Sequence, residues 1–94
     1  MILSIQSIYT VRDKLAGKIG PLCIFENDNV AERAFRHMVN SGQDPMLQRC
    51  SSDFEMVCLG DIDSVGEITP KMVVVASAFE VLDRETQGKV ANLD

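Results

Sequence analysis

The apolar residues change their spacing several times along the chain, and each change marks an element. In ILSIQSIYTV (residues 2–11) the odd positions Leu3, Ile5, Tyr9 and Val11 share one face, with Ser7 among them. That alternation, in a stretch rich in β-branched residues, predicts a strand. RDKLAGKIGP (12–21) carries two glycines and a proline, and it predicts an exposed loop or a wide hairpin connection. LCIF (22–25) is short and apolar, which fits a second strand.

Over ENDNVAERAFRHMVN (26–40) the apolar spacing lengthens to that of a helix. Ala31, Ala34, Phe35, Met38 and Val39 fall on one stripe. Asn27 or Asp28 stands where a cap accepts the free N–H groups of the first turn, and Glu32 suits the positive end of the helix dipole. SGQDP (41–45) ends the helix, because Gly42 accepts left-handed geometry and Pro45 cannot continue the hydrogen-bond ladder. Residues 46–53 fit either a short helical turn or a loop.

The two-residue period returns in FEMVCLGDID (54–63), which reads as a central strand, and DSVGE follows as a tight turn. EITPKMVVVA (67–76) predicts a last strand, with Pro70 placing it at an edge because proline gives the ladder no donor. SAFEVLDRETQ suggests a short helix before a frayed end, GKVANLD. The expected architecture is α+β: a small antiparallel sheet of about four strands with one main helix on one face, in the order β-β-α-β-β. Residues 1–76 would form the domain and 77–94 a C-terminal extension. The second sheet face is expected to be open, where a dimer partner or a ligand would cover it.

Composition narrows the function classes. The chain has 94 residues and a formal charge of −5. Residues 1–50 hold six Lys/Arg against five Asp/Glu, and residues 51–94 hold three against nine. Binding that neutralises many phosphates calls for a basic excess, so any nucleic-acid contact must come from a local patch in the first half. An acidic protein of this size also suits docking on another protein. The three cysteines, Cys23, Cys50 and Cys58, lack metal-ligand spacing and read as small buried hydrophobes in a reducing compartment. No apolar run reaches the roughly 20 residues of a membrane helix, and the N-terminus lacks the pattern of a signal peptide. A soluble protein is expected.

Candidate chemistry is sparse. Asp61, Asp63 and Glu67 open like a calcium loop, but Val65 and Met72 stand where ligands should follow, and turn-forming residues explain the cluster better. AGKIG (16–20) lacks the full phosphate-loop pattern. His37, the single histidine, has no partner at a spacing that would orient it for acid–base work. No catalytic residue, metal site or cofactor is expected, and the chain is not expected to be an enzyme. The remaining cluster is cationic: Arg12, Lys14 and Lys18 in the first loop, and Arg33 and Arg36 on the polar face of the helix. Folded together they would line one patch beside Tyr9, whose ring could stack on a base. The plainer reading is that Arg33 and Arg36 are solvated and partly paired with Glu32 or Asp28.

Three segments, SIYTVRDKLAG, NDNVAERAFRHMVN and DFEMVCLGDIDSVGEI, also occur in an order and spacing that resemble the small nonstructural protein of gokushovirus-type microviruses, which are single-stranded DNA bacteriophages. The shared features are a first strand ending near an aspartate (Asp13), the helix pattern N-D-x-x-A-x-R-A-F-x-x-x-V-N from Asn27 to Asn40, and the strand pattern from Asp53 to Asp63. The resemblance spans residues 2–75. It implies a nonstructural DNA-binding protein of the host bacterial cytoplasm, without enzyme activity, that assists the passage from duplex replication to single-strand synthesis and packaging. The acidic second half and the tail after Ala76 depart from the pattern. The expectation is therefore a non-enzymatic, homodimeric single-stranded-DNA-binding factor. Arg12, Lys14, Lys18, Arg33 and Arg36 would meet phosphates, with Tyr9 meeting a base. The alternative is an acidic module that docks on a host or viral protein without nucleic acid.

Overall fold

The computed structural model describes residues 4–83. The elements follow the apolar spacing closely: β1 (Ile5–Asp13), β2 (Lys18–Ile19), β3 (Cys23–Phe25), α1 (Asp28–Asn40), α2 (Pro45–Arg49), a 3-10 turn (Ser51–Asp53), β4 (Phe54–Asp63), β5 (Ile68–Ser77) and α3 (Ala78–Val81). The strands form one antiparallel sheet in the order β2-β1-β4-β5, with β3 also paired to β1 on the side of β2. The fold is α+β as expected, with five strands rather than about four.

The additional strand lies inside the expected loop. Asp13 Oδ1 accepts the N–H groups of Leu15 and Ala16, both at 3.1 Å, and Gly17 turns the chain with a φ of 67°. Lys18 and Ile19 can then pair back onto Asp13 and Arg12. Two residues are too short to show any periodicity, so the pattern could not announce them.

The core lies between α1 and one face of the sheet. Tyr9, Met56, Cys58 and Ala76 face Ala31, Phe35 and Val39 of α1, and all are buried. Asn27 caps α1, its side chain accepting from the N–H of Val30 at 3.0 Å. Of the expected helix stripe, Met38 is more than a third exposed and lines a groove instead of filling the core. The short helix α3 starts with a capping box, in which Ser77 and Glu80 each satisfy the other's backbone N–H. Ala78, Val81 and Leu82 are buried in the same core cluster. A four-residue helix cannot cover itself, and α3 packs into the core instead. The rest of the expected extension falls outside the described residues.

The other sheet face is less open than expected around its middle. Thr10 is buried, its hydroxyl donating to the carbonyl of Gly20 at 3.0 Å, and its cross-strand neighbour Val57 is buried as well. Glu55 is buried beside Arg12 on this face. The uncovered surface lies at one end and one edge of the sheet. A 13-residue helix is about 20 Å long, whereas a 10-residue strand runs about 33 Å. The strands therefore project past the helix, and the radius of gyration of 14.6 Å exceeds the roughly 12 Å of a compact chain of this length.

Candidate nucleic-acid interface

The five cations expected to share one patch are placed on three surfaces. Arg12 points to the sheet face away from α1. Its Nε donates to Glu55 Oε1 at 3.0 Å, and its Nη2 meets the same oxygen. Arg12 is thus occupied in shielding a buried carboxylate. Lys14 and Lys18 stand exposed at the β1–β2 turn. Lys14 is fixed there by its backbone, whose N–H donates to the carbonyl of Asp53 at 2.9 Å.

On α1 the two arginines have different surroundings. Arg36 bridges to Glu32 at 3.4 Å and donates to the carbonyl of Val81 at 3.3 Å. Asn40 joins it, with Nδ2 donating to the same carbonyl at 2.9 Å while Oδ1 accepts the N–H of Asp83. Arg36 and Asn40 thus satisfy the free carbonyl end of α3, a structural duty that carries no mark in the sequence because its partner is backbone. Arg33 is exposed and, among the described residues, forms no ion pair.

Tyr9 does not reach the surface. Its ring is fully buried and packs on Phe25 at 5.8 Å between centroids, and its hydroxyl donates to Asp28 Oδ1 at 2.6 Å. Burial foremost, and then the hydrogen bond to Asp28, push its phenol up to about 12. The expected stacking position is therefore a core position. The same alternation that made Tyr9 a strand residue with Val11 also directs it under α1.

One cation outside the expected set joins the picture. Arg49, in the last turn of α2, is exposed and forms no ion pair among the described residues. The 3-10 turn after α2 carries the chain to Asp53, whose carbonyl holds Lys14, so Arg49 and Lys14 belong to the same end of the molecule. Its region fitted helix and loop equally in the sequence, so its placement was not legible. Among the described residues, Lys14, Lys18, Arg33 and Arg49 are the cations without a carboxylate partner.

Beside this end lies an apolar groove of about 400 Å³, between the β2/β3 edge and the helices α1 and α2. Val11, Phe25, Met38, Leu47, Phe54 and Met56 line it, with Asp13, Lys18 and Asp44 also on its walls.

The acidic turn is organised by its own backbone and neighbours. Asp63 Oδ1 accepts the N–H groups of Val65 and Glu67 at 3.0 and 2.9 Å. Asp61 accepts from the Ser7 hydroxyl at 2.7 Å and pairs with Lys71 at 3.1 Å. These two contacts hold its carboxyl below the usual carboxylate range, and Asp61 in turn raises the Lys71 ammonium.

No helix among the described residues is long and apolar enough to cross a membrane. No curated protein and no solved structure matches the chain. A family model, described as Phage ORF5 protein, matches residues 6–81, which runs from the start of β1 to the end of α3. With the match covering the whole folded unit, the chain belongs to this bacteriophage protein family.

Proposed function

We propose that this phage protein is a non-enzymatic, nonstructural factor that binds single-stranded DNA during genome replication or packaging in the host cytoplasm. The contact surface is the end of the molecule holding Lys14, Lys18 and Arg49, with Arg33 on α1 as a further phosphate contact. What supports the reading is that these four cations are exposed and have no carboxylate partner among the described residues, in a protein of net charge −5. The resemblance to microvirus nonstructural proteins points the same way. Arg12 and Arg36 act structurally, and Tyr9 takes no part in stacking.

Three or four phosphate contacts on a single strand give a log–log salt slope of about −2 to −3. Binding of a fluorescent oligothymidine at low and moderate salt tests this. The triple substitution Lys14→Ala, Lys18→Ala and Arg33→Ala should weaken binding and flatten the slope, whereas Tyr9→Phe should leave both unchanged. Absence of binding at low salt, or indifference to the triple substitution, would reject the reading.

The second reading, a module that docks on a host or viral protein, is favoured by the apolar groove under α1 and α2. It predicts capture of a protein partner from infected cells that survives nuclease treatment and is lost with Met38→Glu.

A further inference from the structure

The two edges of the sheet differ in what they leave unpaired. On one side β1 is covered by β2 and β3, strands of two and three residues interrupted by Gly20 and Pro21. Short edges broken by glycine or proline and bearing an exposed lysine are poor templates for another strand. On the other side β5 runs for ten residues, and among the described residues nothing pairs with its outer edge.

Two irregularities interrupt the pairing of β5 with β4, one between Pro70 and Val73 and one between Val74 and Ala76, and the other protective devices on β5 lie in its first half. Pro70 lacks a donor, and Lys71 carries the strand's one charge, which is already engaged by Asp61. Beyond them Met72, Val73 and Val74 are consecutive, apolar and exposed by 50, 46 and 51%. Val74 pairs with Val57 and so belongs to the face away from α1, and Val73 pairs with Cys58 on the core face. The exposed apolar surface thus wraps around the edge instead of lying on one side of it.

From this we infer that β5 is a self-association edge: two copies of the chain join by antiparallel pairing of β5 with β5 across a two-fold axis. The occupant is a second copy, and charge limits where the two can meet. Two chains of net charge −5 repel, so a contact between them must fall where formal charge is absent or cancelled. The second half of β5 meets that condition. The sequence there also complements itself. An axis through Val73, the middle of the three exposed residues, sets Val73 against its equivalent and Met72 against Val74 twice over. Cross-strand apolar pairs of this kind are the unit of sheet stabilisation. The two sheets become one continuous sheet, and the β2/β3 edges with their cations lie at its far ends. The inference concerns assembly and holds whatever those cations bind.

Sedimentation equilibrium of the full chain over a wide concentration range tests it. The expected mass is twice the 10.4 kDa of one chain. The double variant Met72→Lys with Val74→Lys should raise the dimer dissociation constant roughly 100-fold or more, since it brings like charges face to face across the axis. Val73→Lys should act in the same direction. Both variants should keep the wild-type far-UV circular dichroism, because these side chains are half exposed. A wild type that stays monomeric at every concentration overturns the inference, as does a dimer that survives both variants in folded form. A monomer would leave oligonucleotide binding unaffected, so this failure is separable from failure of the DNA-binding reading.

Discussion

The sheet ends on one side in β2 and β3, of two and three residues, and on the other in β5, of ten. The first edge is interrupted by Gly20 and Pro21, carries exposed Lys18 and borders an apolar groove. The second is a single strand of ten residues whose pairing with β4 shifts register twice, and the one charge on it is engaged by Asp61. Both edges hang on the same central pair, β1 and β4, and on the same helix. Their difference shows that edge protection is local: it depends on a few residues in each strand and not on the fold as a whole. It also separates two candidate surfaces, with cations unpaired among the described residues toward one edge and the proposed assembly surface at the other.

The largest effect on this division comes from removing what both edges share. Phe35 is fully buried at the centre of the core, and Phe35→Ala should cost about 3–5 kcal/mol in urea unfolding. Both properties should fail together in that variant. Gly60→Ala separates them. A Cβ at Gly60 would lie 2.7 Å from the carbonyl oxygen of Thr69, so β4 and β5 must move apart. The expected cost is about 1–3 kcal/mol, with loss of self-association and retention of oligonucleotide binding. Equal loss of both would mean that the edges are not independent.

A titration sharpens the comparison further. Tyr9 is the one tyrosine and there is no tryptophan, so ultraviolet absorbance reports this phenol alone. It should ionise near pH 12 in the folded protein, against about 10 in an unfolded chain. Between those values the unfolded state has lost a proton that the folded state keeps. Stability from this group is therefore fully present below pH 10 and falls as the pH rises toward 12. Half-ionisation near pH 10 in protein that is still folded would place the ring at the surface and restore it as a base-stacking position.

The architecture was largely legible because most elements are longer than one period of their pattern. Strands β1 and β4, helix α1 with its Asn27 cap, and the edge position implied by Pro70 all follow from spacing and local backbone chemistry. The shortest elements were only partly legible. The two residues of β2 read as a loop or a wide hairpin connection, whereas a short helix was expected where α3 lies and only the burial of Ala78 and Val81 in the core was not. The candidate site was legible only as a set of residue types. Sequence proximity placed Arg12 beside Lys14, but strand alternation turns Arg12 toward Glu55 on the far face. Arg36 looked like a surface cation, but it holds a backbone carbonyl 45 residues away. Which cations are free depends on partners distant in sequence, and no local pattern carries that information.

Hydrogen exchange followed by mass spectrometry at two protein concentrations tests the contrast between the edges most directly. The account predicts that the peptide covering Met72–Ser77 becomes more protected as concentration rises, while the peptide covering Lys18–Phe25 exchanges alike at both. Exchange in β5 that is independent of concentration, or protection that grows at the β2/β3 edge instead, would contradict it.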